Sequence, residues 1–202
     1  MKPEGTTPID PDEAQGLIPS HIRTQTELDA WEQTNIIEGL AWAERQSRRE
    51  LLDDSFVREL HRRMFGATWR WAGSYRKSDK NIGVDWRHIP VRLRDLLEDI
   101  KVQLADLREP IDQTILRFHH RLVAIHPFAN GNGRHARVMA DLLAHRQGRP
   151  AFSWGRNLLN SASEIRDEYL AALRSADQRD YLPLFRFARS NQTEGFEMVP
   201  RI

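Results

Sequence analysis

The 202-residue chain contains no cysteine, which excludes disulfide cross-links and thiolate metal sites. No apolar run approaches the ~20 residues that a membrane-spanning helix needs. Charge of one sign is also missing: 30 Lys+Arg stand against 29 Asp+Glu, so bulk electrostatics gives no basis for binding nucleic acid. The opening MKPEGTTPIDPDEAQ has proline and acid where a signal peptide has an apolar core, an argument against export. The expectation is a soluble, cytoplasmic protein with no membrane association and no direct nucleic-acid binding. What is present is an ordinary balance, 40% hydrophobic and 29% charged, in a length that suits one domain with an appendage.

Residues 1–25 are rich in Pro, Gly, Thr and Asp and read as an N-terminal arm. From Thr26 to Arg49 proline is absent, and Leu28, Trp31, Ile36, Leu40 and Ala43 recur with helical spacing. Asp53 or Asp54 can cap a second helix through Phe56, Leu60 and Met64. Between Trp69 and Pro90, aromatic and β-branched residues alternate with Gly73, Ser78-Asp79-Lys80-Asn81 and Gly83, which predicts a short hairpin. Helical periodicity returns over 91–107 and 110–124, and again from about Gly133 to His145, closed by Gly148 and Pro150. Two further helices are predicted near 161–174 and 181–190, before a polar tail at 191–202. The reading is mainly α, with six to eight helices and one hairpin.

The stretch His126 to Arg137, HPFANGNGRHAR, concentrates chemistry. Gly131 and Gly133 allow a tight turn and a close approach of backbone N–H groups to a ligand. They stand where a helix begins, so unpaired amides and the positive dipole end face the loop. Arg134 and Arg137, three apart, share one helix face, and two guanidinium forks above an amide cradle suit a polyphosphate. His126, just before the turn, is a candidate general base. Phe128 is expected to point inward and pin the loop. His119, His120 and His135 lack the i, i+4 spacing and carboxylate partners of a metal site. The RQSRR run from Arg45 to Arg49 reads as a solvated helix end.

This stretch resembles the signature of the Fic domain, His-x-Phe-x-(Asp/Glu)-Gly-Asn-Gly-Arg-x-x-Arg, and departs from it only at Asn130. FHHRLVAI before it and Trp-Ala-Gly-Ser-Tyr-Arg at 71–76 extend the resemblance to about residue 190. The run TPIDPDEAQGLIPSHI followed by WEQTNI is similar to the mobile mystery protein B subfamily. The resemblance implies a Fic-type helical bundle with a small β-hairpin flap: an inhibitory helix region at 26–50, the Fic domain at 51–190 and a tail at 191–202. It implies transfer of AMP from ATP to a Ser, Thr or Tyr hydroxyl of a target protein. His126 would be the catalytic base. Asn130, Gly131, Asn132, Gly133, Arg134 and Arg137 would bind the nucleotide, with Arg134 on the β- and Arg137 on the γ-phosphate. Arg76, Ile82, Gly83 and Val84 would form the flap that pairs with the target strand. The alternatives are a phosphotransferase on the same fold, or a catalytically weak nucleotide-binding module in a toxin–antitoxin-like pair with a small helix-turn-helix partner.

At Asn130 the family carries a carboxylate for Mg²⁺. An Asn oxygen brings no charge, so ion capture and turnover are expected to weaken. Thr34 to Gly39, TNIIEG, matches the family's inhibitory pattern (Ser/Thr)-x-x-x-Glu-(Gly/Asn), which marks Thr34, Glu38 and Gly39 as an obstructing element. Glu38 falls within about 40° of Trp31 and Trp42 on a helical wheel, and the resemblance nominates Arg137 as its partner. SNQTEG, ending at Glu194 and Gly195, fits the same pattern, but in the polar tail. The first copy is preferred for its helical context and for the burial expected of Trp31, Ile36, Leu40 and Trp42.

Overall fold

Seven α-helices and one 3-10 turn make up the regular structure of the described residues, 14–106, 108–156 and 161–190, in a computed structural model of the chain. The chain divides into two units, Met1–Pro150 and Ala151–Ile202. Residues 1–13 of the arm, the tail at 191–202 and the Glu194 copy of the inhibitory pattern lie outside the described residues.

In the first unit, α1 (Gln25–Glu44) starts at a capping box in which Thr24 and Glu27 satisfy each other's backbone N–H groups. Asp53 caps α2 (Asp54–Phe65) by accepting from Ser55 and Phe56. A 3-10 turn (Trp86–His88) leads into α3 (Ile89–Asp106), and α4 (Ile111–Ile125) and α5 (Asn132–Arg146) follow. Helix α4 packs on both α3 and α5, and α1 packs on α2. Phe56, Leu60, Leu96, Ile115, Phe118 and Met139 are fully buried at the centre of this unit, each stabilising it by roughly 1.5–3 kcal/mol.

Gly39 sets the α1–α2 crossing. A Cβ there would meet the Met64 side chain at 2.8 Å and its backbone at 3.0 Å, so the two helices approach more closely than any other residue allows. The buried stripe of α1 is Glu32, Asn35, Ile36, Gly39 and Ala43, the i, i+3, i+4, i+7, i+11 pattern of a single face. Trp31 is not part of it and stays 38% exposed, while Trp42 is half-buried against Phe56. Burial of Trp31 therefore does not anchor this helix.

The predicted hairpin does not form. Among the described residues the one β feature is an isolated antiparallel bridge, Leu17 to Trp69, and residues 70–85 run through turns and bends. Arg76 supplies the reason. Its guanidinium is buried inside this segment and donates to the carbonyls of Ser78, at 2.7 Å, and Val84. Carbonyls that a cross-strand ladder would use are satisfied by one side chain.

The second unit holds α6 (Ala162–Asp177), opened by a Ser161–Glu164 capping box, and α7 (Leu182–Ala188). Tyr169 packs on Phe187, and the Arg189 guanidinium lies 3.9 Å over the Phe152 ring. No helix among the described residues is long and apolar enough to cross a membrane.

Candidate active site

Helix α4 ends at His126, which adopts a left-handed conformation, φ 54° and ψ 61°. That geometry favours glycine, and a β-carbon residue holds it at a cost of about 1–3 kcal/mol. Two neighbours fix it. Arg76 Nε donates to the His126 carbonyl at 2.7 Å, and the Arg76 and Val84 amides donate to Pro127 and Ile125 at 3.0 and 3.3 Å. The 76–84 segment is thus laced to the end of α4. Gly83 makes the lacing close: a Cβ there would lie 2.7 Å from both the Arg76 guanidinium and the His126 Cβ. Ile82 points outward and is 45% exposed.

The loop after His126 is closed by Asn132. Its Oδ1 accepts the Phe128 N–H at 2.9 Å and its Nδ2 donates to the Phe128 carbonyl at 2.8 Å. The Asn132 side chain therefore shapes the loop, and only its backbone N–H is placed to meet a ligand. Phe128 is fully buried and stacks on His61 with ring centroids 3.8 Å apart. Gly131 is the N-cap of α5 at φ 79°, and a Cβ there would strike the Phe65 ring at 2.7 Å. No side chain caps α5, so the amides of Asn132, Gly133 and Arg134 form an anion-seeking first turn.

Asn130 is half-buried. Its carbonyl accepts from His61 Nε2 at 3.0 Å, and its Oδ1 accepts the Gly131 N–H at 2.6 Å. Among the described residues no group of three metal-ligating side chains exists. An uncharged oxygen already bonded to a backbone amide does not build a metal site from protein ligands.

Arg134 is held by a glutamate, and the glutamate is Glu32. Arg134 Nη1 donates to Glu32 Oε2 at 2.6 Å, and Trp69 Nε1 donates to Glu32 Oε1 at 2.7 Å. Glu32 is only 4% exposed, and Arg134 also lies 4.9 Å over the Phe65 ring. Glu38 takes no part in this. It is exposed, lies about 120° round α1 from Glu32, and makes no hydrogen bond or ion pair with a described residue. It lines a 620 Å³ groove with Trp42, Arg45, Arg62, Arg63 and Arg70, which includes none of residues 126–137. Thr34 is exposed and bonds back to the Ala30 carbonyl, and Gly39 serves the helix crossing. Arg137, half-buried on the next turn of α5, is close enough for its charge to depress His119. Sequence reasoning missed Glu32. The available signal was a carboxylate on the same stripe as Ile36, Gly39 and Ala43, which needs a buried partner.

Burial holds His119, His126 and His135 neutral. Burial lowers His126 to about 4, helped by the Arg76 charge, and a hydrogen bond with Val123 opposes the shift. Burial brings His119 to about 3 and His135 to about 4. Depressed values mean that the unfolded chain takes up protons first as pH falls below 6.5. Stability is therefore complete above 6.5 and is lost as pH drops toward 4. Summed over these three residues, unfolding free energy should fall by ~4 kcal/mol between about pH 7.5 and 5.5. Urea denaturation at the two values checks this, and equal midpoints would contradict it.

Comparison with known proteins follows the same residues. Residues 51–144 match the family model described as the Fic/DOC family. The protein adenylyltransferase fic-1 of Caenorhabditis elegans is 30% identical over 141 residues, covering 67% of this chain and 26% of that protein. The chain thus spans about a quarter of the length of that curated relative. A Fic-domain-containing signaling protein from Bacteroides thetaiotaomicron superimposes with a TM-score of 0.67 at 21% identity, covering 86% of this chain and 71% of the other. BepC from Bartonella tribocorum, solved with bound AMPPNP, gives 0.66 at 16% identity, covering 88% and 96%.

Proposed function

Because residues 51–144 are a Fic/DOC domain, we propose that the protein transfers AMP from ATP to a hydroxyl of a protein, and that α1 holds this activity in check. The observation that carries the reading is the junction of a laced, neutral histidine with an uncapped, glycine-opened helix bearing Arg134 and Arg137. Similarity to relatives named as adenylyltransferases supports the reaction type.

In the reaction the target hydroxyl oxygen bonds to the α-phosphorus while the bond to the bridging oxygen breaks and pyrophosphate leaves. His126 takes the hydroxyl proton. Burial keeps its imidazole unprotonated at neutral pH, and the approaching polyanion raises its basicity. The first-turn amides of α5 and the two arginines stabilise the phosphates. The 76–84 segment, tied to His126 by Arg76, presents the target. Its irregular backbone and outward Ile82 suit docking of an extended chain. A small helix-turn-helix partner, implied by the subfamily resemblance, would be a separate ligand.

Mg²⁺ would travel with the triphosphate, and the steps assigned to these side chains do not depend on it. Asn130→Asp restores an anionic oxygen beside the loop. We expect it to raise Mg–ATP affinity about tenfold, the equivalent of ~1.4 kcal/mol, with no gain in the absence of Mg²⁺. Calorimetry with and without the ion checks this, and equal affinities would remove Asn130 from the metal reading. The reaction itself is tested by incubating the Glu32→Gln variant, freed of the inhibitory contact proposed below, with ATP labelled on the α- or the γ-phosphate. Label from the α-position alone is expected. Label from the γ-position would instead select phosphotransfer.

The Glu32 carboxylate engages Nη1 of Arg134 and offsets its charge, which weakens its grip on a phosphate. The Glu32–Arg134 pair is therefore the inhibitory contact in this reading, in place of the Glu38–Arg137 pair that the pattern suggests.

A further inference from the structure

We propose that His61 is a positioning residue that fastens the 128–134 loop and the 73–84 segment to one strut of α2, so that the nucleotide site and the target-docking segment move as a unit. This rests on the reading of those two segments given above.

The argument begins with hydrogen-bond direction. The Gly73 N–H can only donate, and it lies 3.0 Å from His61 Nδ1. That nitrogen must be unprotonated, so the ring proton sits on Nε2. Nε2–H then donates to the Asn130 carbonyl, also at 3.0 Å. A neutral imidazole meets both demands at once, because it carries one acceptor and one donor on opposite edges. His61 is fully buried, and desolvation holds its basicity well below the ordinary range. The tautomer is thus fixed by its partners.

Each partner belongs to one of the two segments. Asn130 precedes the Gly131 N-cap of α5 and sets how the loop enters that helix. Gly73 opens the 73–84 segment at φ 79°, where a Cβ would collide with the Arg58 carbonyl and the Arg62 Cβ at 2.8 Å. Arg58, one turn before His61 on the same face of α2, donates from Nε to the Gly73 carbonyl at 3.0 Å. Helix α2 therefore grips both polar groups of Gly73. The imidazole also stacks on Phe128 and packs against Phe65, whose ring blocks any side chain at position 131. From Gly73 the constraint passes through Arg76 to the His126 carbonyl. A displacement at either segment is transmitted through a buried ring bonded to both Gly73 and Asn130.

The test compares full-length wild type with His61→Phe, His61→Gln and Leu96→Ala by hydrogen–deuterium exchange and by binding of AMPPNP. Phenylalanine keeps the stacking and loses both bonds. Exchange is expected to rise together in residues 73–84 and 128–134, and AMPPNP affinity to fall about tenfold, as loss of buried hydrogen bonds of this kind implies. Glutamine, with one acceptor and one donor, restores part of both effects. Leu96→Ala, a core change in α3, lowers the melting temperature without raising exchange selectively in the two segments. Loosening of one segment alone, or unchanged AMPPNP affinity with both loosened, overturns the proposal. Failure of both wild type and Glu32→Gln to bind AMPPNP overturns the nucleotide reading, and the exchange result still decides whether His61 joins the segments. Should His61→Phe not fold, ¹⁵N imidazole spectra of wild type decide. A His61 that stays in the Nε2–H form from roughly pH 5 to 8 is required, and the other tautomer or a protonated ring overturns it.

Discussion

Replacing Glu32 with glutamine raises ATP affinity by about ten- to a hundredfold and switches on transfer. The magnitude follows from the kind of bond removed: a charge-assisted hydrogen bond is worth about 1.5–3 kcal/mol, and each ~1.4 kcal/mol is tenfold in affinity. Glutamine keeps the size of the side chain and can still accept the Trp69 indole N–H, which bonds Glu32 at 2.7 Å. The fold is therefore retained while the charge that holds Arg134 disappears. Arg134 is left able to reach water or a phosphate, since its side chain is 32% exposed against 5% for its partner. The matched control is Glu38→Gln, which should change nothing because Glu38 forms no hydrogen bond or ion pair with a described residue and lines a groove that includes none of residues 126–137. Calorimetric titration with ATP reads both variants. Activation by the Glu38 change and not by the Glu32 change would mean that α1 presents its other face to the nucleotide.

The second large effect is expected at His126. His126→Asn in the Glu32→Gln background should lower transfer by about 10²–10⁴-fold, the worth of a positioned general base, and leave ATP binding within a few-fold. Asparagine is the informative choice because it tolerates the left-handed backbone that His126 adopts. The bond from Arg76 goes to the backbone carbonyl of this residue, so the lacing of the 76–84 segment survives the substitution. The pH profile adds a second reading. With the imidazole held at about 4 by burial, kcat/KM of the parent should lack a limb near 6.5 and stay level down to about pH 5. A limb at 6.5 would show that the base is a solvent-exposed histidine instead. Transfer that persists in the asparagine variant would remove His126 from the chemistry.

The parts of this protein legible in its sequence are those in which local pattern and tertiary structure agree. Asp53 as a cap, Gly131 at a loop-to-helix junction and Phe128 turned inward follow from turn chemistry and hydrophobic spacing alone. The helices at 89–106, 111–125 and 132–146 fall within two residues of their periodic patterns. The hairpin between Trp69 and Pro90 was misread because its signal is the alternation of β-formers, and alternation does not reveal that a buried arginine takes the carbonyls. Arg76 sits beyond Gly73 and acts on Val84, eight residues away, a long-range choice that no short window contains.

The packed face of α1 differs from the expected one for a related reason. The two tryptophans flanking Glu38 suggest an apolar face there, but one of them, Trp31, stays 38% exposed. The real contact stripe is set by the close approach at Gly39 and by Asn35 Nδ2 donating to the Thr68 hydroxyl oxygen at 3.2 Å. A carboxylate on that stripe, Glu32, was the clue, and reading it required knowing which side of α1 meets α2. His61 was invisible for the same cause: its two partners are 12 and 69 positions away.

The central claim is that residues 126–137 act as one adenylyl-transfer site released by loss of the Glu32 carboxylate. Intact-protein mass spectrometry after incubation with ATP and Mg²⁺ tests it most directly, on Glu32→Gln and on Glu32→Gln/His126→Asn. A gain of one AMP in the first protein and none in the second is the expected result. No gain in the first protein while it binds ATP, or a gain of phosphate in place of AMP, would contradict the account.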